Sequence, residues 1–134
     1  MNLPDIQVAA VVLLRERRML MVTARNRDVL YLPGGKVDAG ETPADAAARE
    51  TREEVAVGLV PGSMVHLFTV VTQAHGEPHG RQVRMVVFAA EPDGEPRPSA
   101  EVSAVHWVTT ADLHRCPPAG SEVLRRLAEM NLID

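Results

Sequence analysis

Short runs rich in apolar residues, separated by polar or glycine-containing turns, fill most of the chain and predict a fold dominated by β-strands. The runs cover residues 8–14, 19–24, 29–32, 64–73, 82–90 and 102–108. The first run has no polar residue, which is typical of a strand buried on both faces. The polar turn 15–18 then predicts a hairpin between the first two runs. Pro33 and the two glycines after it are expected to end the third run, and 75–80 and 91–100 are expected to be loops.

Two segments have helical character. Thr42 is suited to cap a helix, Pro43 then occupies the first helical position and Asp45 the third, so a helix is predicted over residues 42–57. A second, amphipathic helix is predicted over residues 121–130. Strands, a helix, further strands and a final helix do not alternate as in a doubly wound sheet. The order favours a single domain over residues 1–134, of the α+β type, with a mixed sheet between helices.

Three carboxylates crowd one side of the first helix. At about 100° per residue, Glu50, Glu53 and Glu54 share an arc of about 100° beside the apolar stripe. Like charges at this spacing destabilise a helix, and partial burial should raise the pKa of at least one carboxyl. Arg49 can reach Glu53, whereas Arg52 points away. The pattern is typical either of a solvated acidic face or of a site for a divalent cation such as Mg²⁺.

The residues that precede this helix help to decide between a solvated acidic face and a cation site. From Gly35 the chain reads Gly, five residues, Glu41, seven residues, Arg49-Glu50, two residues, Glu53-Glu54. This closely resembles the 23-residue signature of the Nudix hydrolases, here over residues 35–57. The run from Tyr31 to Lys36 and the later strand ending near Trp107 are also similar to that family. The resemblance implies an α/β/α sandwich, MutT-like, and metal-assisted hydrolysis of a pyrophosphate link.

The resemblance also implies roles for individual residues. Mg²⁺, for which Mn²⁺ can substitute, would be held by a backbone carbonyl and three side chains: Gly34 or Gly35, Glu50, Glu53 and Glu54. Arg49 would orient Glu53, and Glu41 would tie the loop to the helix. The catalytic set would comprise Glu53, Glu54, Arg49 and Glu101. Glu101 is expected to act as a ligand or as the general base, with Glu91 and Glu95 as weaker rivals.

The substrate implied is a small nucleotide or other diphosphate, and by elimination a nucleoside triphosphate, modified or not. Lys36, Arg25 and Arg27 lie at the ends of elements that lead into the loop and are candidates to hold phosphate oxygens. Tyr31 is a candidate to bind the substrate by stacking on the base, as is Phe68, with core packing as the alternative for both. His75 and His79 lie in a loop, where their spacing gives no common face for zinc. Two alternatives stay open: a non-catalytic nucleotide-binding or regulatory module, and an isomerase acting on a diphosphate ester.

Two residues depart from the signature. Thr51 replaces an aliphatic residue on the core stripe and is expected to hydrogen-bond back along the helix. Ala56 replaces a glycine that would end the helix in the left-handed region. Because that conformation costs an alanine roughly 1 kcal/mol or more, the helix is predicted to run on and to end near Gly58.

Composition excludes several other classes of protein. The 134 residues are 46% hydrophobic with a net charge of −4, which argues against a stable nucleic-acid partner. The single cysteine, Cys116, excludes an internal disulfide and shows no sign of activation. The longest apolar run is too short to cross a membrane, and no signal peptide is recognised. A cytoplasmic protein is therefore expected, and a homodimer remains open.

Overall fold

The computed structural model describes residues 4–134. Residues 1–3, on which the expectation of no signal peptide partly depends, lie outside this range. The strands are β1 (Ile6–Val12), β2 (Leu14–Arg15), β3 (Arg18–Ala24), β4 (Gly34–Lys36), β5 (Gly58–Leu59), β6 (Val65–Gln73), β7 (Gln82–Ala89), β8 (Pro92–Asp93) and β9 (Val102–Val108). The α-helices are α1 (Pro43–Val55) and α2 (Pro118–Glu129), and a 3₁₀ helix spans Thr110–Arg115.

The largest sheet is mixed, as predicted. Its order is β4-β1-β7-β6, with β1 parallel to β7 and the other pairs antiparallel. A second, antiparallel sheet has the order β2-β3-β9, and β5 pairs with β8. The sheets are open, and together with the two α-helices they confirm the α+β class.

Strand β1 lies at the centre of the molecule and separates two hydrophobic cores. Ala9 and Val11 pack with the buried residues of α1, whereas Ala10 and Val12 pack with the buried side of α2. Because successive side chains of a strand point to opposite faces, this one apolar run supplies both cores. The prediction of a strand buried on both faces, with helices on either side, is confirmed.

The predicted hairpin between the first two apolar runs is confirmed only beside its turn, where Leu14 pairs with Met19, whereas β1 itself does not pair with β3. Both edges of β1 are occupied, by β4 and by β7, so none is left for β3. The tight turn at 16–17 instead joins β3 to the two-residue strand β2. Strand β3 then pairs with β9 in the second sheet.

The third apolar run is also placed differently from the prediction. Within residues 29–32 only Tyr31 forms a β-bridge, to Val22. The next strand is instead Gly34–Lys36, and it contains the two glycines that were expected to end the third run. A Cβ on Gly34 would lie 2.3 Å from the carbonyl oxygen of Ala9. The glycine therefore allows β4 to pack closely against β1 at a point where a larger residue would not fit.

Helix α1 begins as predicted and ends earlier. The Thr42 side chain accepts a hydrogen bond from the Asp45 N–H over 3.1 Å, and buried Thr51 donates back to the Ala47 carbonyl over 2.7 Å. The helix does not continue toward Gly58: Ala56 has φ +58°, in the left-handed region. The prediction that it would avoid this conformation is wrong.

Tertiary hydrogen bonds explain why Ala56 accepts this conformation. The N–H of Arg97 donates to the Val55 carbonyl, and the N–H of Ser99 donates to the Glu54 carbonyl, each over 3.0 Å. The residues just before Ala56 are thus joined to a distant loop. Two such contacts, each contributing about 1 kcal/mol, outweigh the cost of a left-handed alanine.

The remaining differences are small. Helix α2 begins at Pro118 rather than at 121, and the predicted loop 91–100 contains the short strand β8. The 3₁₀ helix before α2 was not predicted. No helix within residues 4–134 has the length and apolar character needed to span a membrane.

Candidate active site

A half-buried carboxylate lies where the glycine strand meets α1. Glu54 projects from the last turn of the helix, and its Oε1 accepts a hydrogen bond from the Gly34 N–H over 2.9 Å. Burial raises the pKa of Glu54 to about 7; the Gly34 hydrogen bond opposes this shift, and the charges of Glu50 and Glu53 add to it. The predicted rise in the pKa of one carboxyl of this helix is confirmed, with desolvation as its main cause.

Glu50 lies against the second glycine of the same turn. A Cβ on Gly35 would fall 2.5–2.9 Å from the carboxylate atoms of Glu50, so the position tolerates no side chain unless Glu50 moves. The Glu50 side chain is 19% exposed and pairs with Arg49 Nη1 over 2.8 Å. The carboxylates of Glu54 and Glu50 therefore lie against two consecutive residues of β4, Gly34 and Gly35.

Arg49 forms ion pairs with several of the acidic residues at the site. Its guanidinium donates to both oxygens of Glu41, over 2.8 and 3.0 Å, and to the Lys36 carbonyl over 3.2 Å. This pairing, together with a hydrogen bond from the Asp38 N–H, lowers the pKa of Glu41 to about 2. The hydrogen bonds to Glu41 and Glu50 raise the pKa of Arg49. Glu41 thus ties the loop to the helix, the structural role expected of it.

Glu53 is held more loosely than its neighbours. Its carboxylate lies 3.5 Å from Arg49 Nη1, and its side chain is 54% exposed. Arg49 therefore reaches Glu53 as expected, but its shorter contacts are with Glu41 and Glu50. Glu53 stands on the open flank of the site, whereas Glu54 stands on the buried flank.

The loop after β8 carries Glu101 to the same place. The hydrogen bonds of Arg97 and Ser99 to the end of α1 fix this loop, and the N–H of Arg25 donates to the Glu101 carbonyl over 3.4 Å. The exposed Glu101 side chain and Glu54 both line one cavity. The rival acid Glu95 is instead paired with Arg15, over 2.8 and 3.0 Å.

This cavity has a volume of about 460 Å³ and is lined by Glu54 and Glu101, by residues of the two larger sheets and by the start of α2. Its walls are mainly apolar. Among the residues singled out in the sequence it is lined by Tyr31, Gly34, Gly35, Lys36, Glu54 and Glu101. Glu50, Glu53, Arg49, Arg25 and Arg27 are not part of the lining; the last two are exposed at the end of β3 and in the turn that follows.

Sequence reasoning did not place a second group of residues in the site, although it considered His75 as a zinc ligand. Gln73, Ala74, His75 and Glu77 come from the end of β6 and the loop after it, and Pro117, Ala119 and Gly120 come from the start of α2. No local pattern relates these segments to the acidic helix. Only the packing of α2 and β6 against one core brings them to the cavity.

The donor set suits a hard divalent cation. Within residues 4–134, no three acidic, histidine or cysteine side chains form a complete metal cage. Mg²⁺ does not need one, since it is usually bound by one or two carboxylates, by water and by substrate phosphates. Glu54, whose oxygen is bonded to a single backbone N–H, and Glu50 beside the glycines fit that mode of binding.

An acidic helix packed on a glycine strand, beside a mainly apolar cavity, suits a ligand that combines cation-bridged phosphates with an apolar group. The NUDIX domain model matches residues 4–127. The chain belongs to the Nudix family, and it is a Nudix pyrophosphohydrolase. The family resemblance noted in the sequence is confirmed.

Individual relatives agree with this assignment. The chain is 29% identical over 133 residues to the 8-oxo-dGTP diphosphatase of Escherichia coli (strain K12), covering 93% of this chain and 98% of that protein. It is also 29% identical over 132 residues to a MutT-like protein of Streptomyces ambofaciens, covering 98% and 74%. Among solved structures, the MutT protein of Methanosarcina mazei Go1 matches with a TM-score of 0.74 at 23% identity, covering 98% of each chain.

Proposed function

We propose that this chain hydrolyses the pyrophosphate link of a nucleoside triphosphate with the help of Mg²⁺, for which Mn²⁺ can substitute. The observation that carries the proposal is the juxtaposition of Glu54, Glu101 and the Gly34–Gly35 turn at one end of an apolar cavity. A nucleoside triphosphate matches this arrangement, because its phosphates are strongly anionic and its base is a flat heterocycle.

The cation would be held by Glu50, Glu53 and Glu54, with a backbone carbonyl of Gly34 or Gly35. When bound, it neutralises phosphate charge and activates water for attack on phosphorus. Without it the acidic cluster would repel the substrate. The raised pKa of Glu54 supports this assignment, because burial and the charges of Glu50 and Glu53 disfavour its ionised form, a cost that a bound cation would offset.

The other side chains hold the acidic residues in place, accept a proton and bind the substrate. Arg49 holds Glu41 and Glu50 in place, and the Gly34 N–H holds Glu54. Glu101 accepts a proton from the attacking water as its oxygen bonds to phosphorus and the bridging P–O bond breaks. Lys36, which lines the cavity, binds phosphate oxygens of the substrate.

The substrate is proposed as a nucleoside triphosphate, including forms with a modified base. A volume of about 460 Å³ falls within the range of small-molecule sites and suits a nucleoside. The name of the E. coli relative, 8-oxo-dGTP diphosphatase, supports an oxidised purine as the first substrate to test. Burial raises the pKa of Cys116 to about 11, which disfavours thiol chemistry on this fold.

A substrate panel tests the proposal. Canonical and 8-oxo nucleoside triphosphates, nucleotide sugars, ADP-ribose and dinucleoside polyphosphates are incubated with and without Mg²⁺, and phosphate and pyrophosphate release is measured. Mg²⁺-dependent release of pyrophosphate from a triphosphate, with a nucleoside monophosphate as co-product, is expected. Hydrolysis confined to the other classes would contradict the substrate assignment.

Variants test the residue roles. Glu53→Gln and Glu54→Gln are each expected to lower kcat at least roughly a hundredfold while leaving the fold intact. Glu101→Gln is expected to give a smaller loss. Glu129→Gln, an exposed acid in the last turn of α2, is the matched control and should behave as the wild type. Full turnover by the Glu54 variant would remove that residue from the cation site.

A further inference from the structure

The loop between β6 and β7, residues 74–81, is fastened by one side chain. Gln73 Nε2 donates to the carbonyl oxygens of Ala74, Glu77 and Pro78, over 3.3, 3.3 and 2.9 Å. Its Oε1 accepts from the Gly80 N–H over 2.8 Å. Both ends of the amide are thus engaged within the loop, which gives a surface segment a defined shape.

This loop forms one wall of the cavity. Gln73, Ala74, His75 and Glu77 all line it. Because the Gln73 amide is engaged in loop hydrogen bonds, His75 and Glu77 are the polar side chains that the loop offers to a ligand. His75, Glu77 and His79 are all exposed, but His79 does not line the cavity.

His75 faces an aromatic partner across the mouth of the cavity. Its ring meets that of Tyr31 in an edge-to-face arrangement, with centroids 6.3 Å apart and an interplanar angle of 69°. The backbone of Tyr31 is held in place, because its N–H and its carbonyl both pair with Val22, over 2.9 and 2.8 Å. Both rings therefore project from backbone segments that hydrogen bonds hold in place.

We propose that the loop is a substrate-binding element in which His75, opposite Tyr31, contacts the heterocyclic ring of the substrate. The identification of that ring as a nucleobase rests on the proposed function. Beyond the mouth, the walls are apolar, formed by residues such as Leu30, Leu32, Val83 and Met85. Such walls suit the flat faces of a ring, and an imidazole can meet both the π-face and the polar edge of a base.

Gln73 acts as a positioning residue in this arrangement. It lies at the end of β6 and shapes the loop that carries His75. Without the Gln73 amide the loop carbonyls would lose their hydrogen-bond donor. The loop would then no longer hold His75 beside Tyr31 at the mouth of the cavity. Its effect on binding should therefore pass through His75 and should vanish once His75 is absent.

Binding measured without turnover tests the proposal. The dissociation constant of a nucleoside monophosphate is determined by calorimetry for wild type, His75→Ala, His75→Phe and His79→Ala, and the KM for the triphosphate is measured alongside. His75→Ala should raise both quantities about threefold to tenfold, the range expected for loss of one aromatic contact. His75→Phe should recover most of the affinity, and His79→Ala should match the wild type.

A double-mutant cycle separates positioning from general loosening of the structure. Gln73→Ala should weaken binding about as much as His75→Ala, and the double variant should be no weaker than His75→Ala alone. Affinity of His75→Ala equal to that of His79→Ala would overturn the contact. An equal loss with an alkyl diphosphate would overturn the preference for a ring. Absence of triphosphate hydrolysis by the wild type would refute the proposed function but not the ring contact, which the monophosphate reports independently.

Discussion

The backbone N–H of Gly34 donates to Oε1 of Glu54 over 2.9 Å, joining β4 to the last turn of α1. The same glycine lies so close to β1 that a Cβ would meet the Ala9 carbonyl oxygen at 2.3 Å and the Ala10 Cα at 2.7 Å. One residue thus sets both the packing of the strand and the position of the carboxylate. A substitution at Gly34 should therefore affect the stability of the fold and the activity of the site together.

Gly34→Ala should therefore damage both stability and activity. Backbone atoms cannot yield to the added methyl, so we expect a loss of about 1–3 kcal/mol in the free energy of unfolding and a large fall in kcat. Gly58→Ala is the matched control, because its Cβ would meet only the flexible end of Arg52, at 3.3 Å. Urea denaturation and turnover of the two variants check this, and equal effects in both would contradict it.

Glu54→Gln should stabilise the metal-free protein at alkaline pH. The folded-state pKa of about 7 lies above the ordinary value of 4.5, so the folded protein binds this proton more tightly than the unfolded chain. The contribution to stability is fully present below about pH 4.5 and is lost as the pH rises through 7. At pH 8 the variant should gain on the order of 2–3 kcal/mol, and near pH 4.5 almost nothing.

Urea denaturation in the presence of a chelator measures this pH dependence. Glu129→Gln provides the control, since that carboxyl is exposed. A gain in the Glu54 variant that did not vary between pH 4.5 and pH 8 would show that packing, rather than ionisation, is responsible.

Glu41→Gln should have the opposite pH dependence. The pKa of Glu41 is lowered to about 2 by Arg49 and by the Asp38 N–H. Its contribution to stability is therefore present above about pH 4.5 and is lost as the pH falls through 2. The variant should be less stable than the wild type at pH 7, with a smaller difference at pH 3, as followed by thermal denaturation. Asp38→Asn, at a side chain that is 70% exposed, should change little at either pH.

Ala56→Gly should stabilise the protein. Ala56 has φ +58°, and glycine adopts this region without the steric cost of a Cβ. We expect a gain of about 1 kcal/mol and a rise of a few degrees in Tm. Ala48→Gly, in the interior of α1, should lose about 1 kcal/mol instead. A fall in Tm for both variants would mean that the left-handed residue is not strained.

Sequence patterns predicted the parts of this molecule that depend on local spacing. The cap at Thr42, the buried back-bonded Thr51 and the raised pKa of one carboxyl all follow from positions along a single helix. The order of strands and helices predicted the α+β class, and the family resemblance adds the enzyme class. In each case the determining neighbours lie within a few residues or within a fixed motif.

What depends on distant neighbours was not predictable in the same way. The end of α1 at Ala56 is set by hydrogen bonds from Arg97 and Ser99, some forty residues later in the chain. Strand pairing at Gly34 depends on the space left beside Ala9. His75 reaches the cavity only because β6 and β7 carry its loop to Tyr31. Such contacts leave no periodic signal in the sequence.

The most direct test of the cation site is a calorimetric titration with Mg²⁺ or Mn²⁺, with and without a nucleoside monophosphate. Wild type and the Glu129→Gln control should take up the divalent ion with the same affinity. Glu54→Gln should bind it at least about tenfold more weakly. Absence of divalent uptake by the wild type under both conditions, or equal uptake by the Glu54 variant, would contradict the assignment of these carboxylates to a metal-dependent pyrophosphohydrolase site.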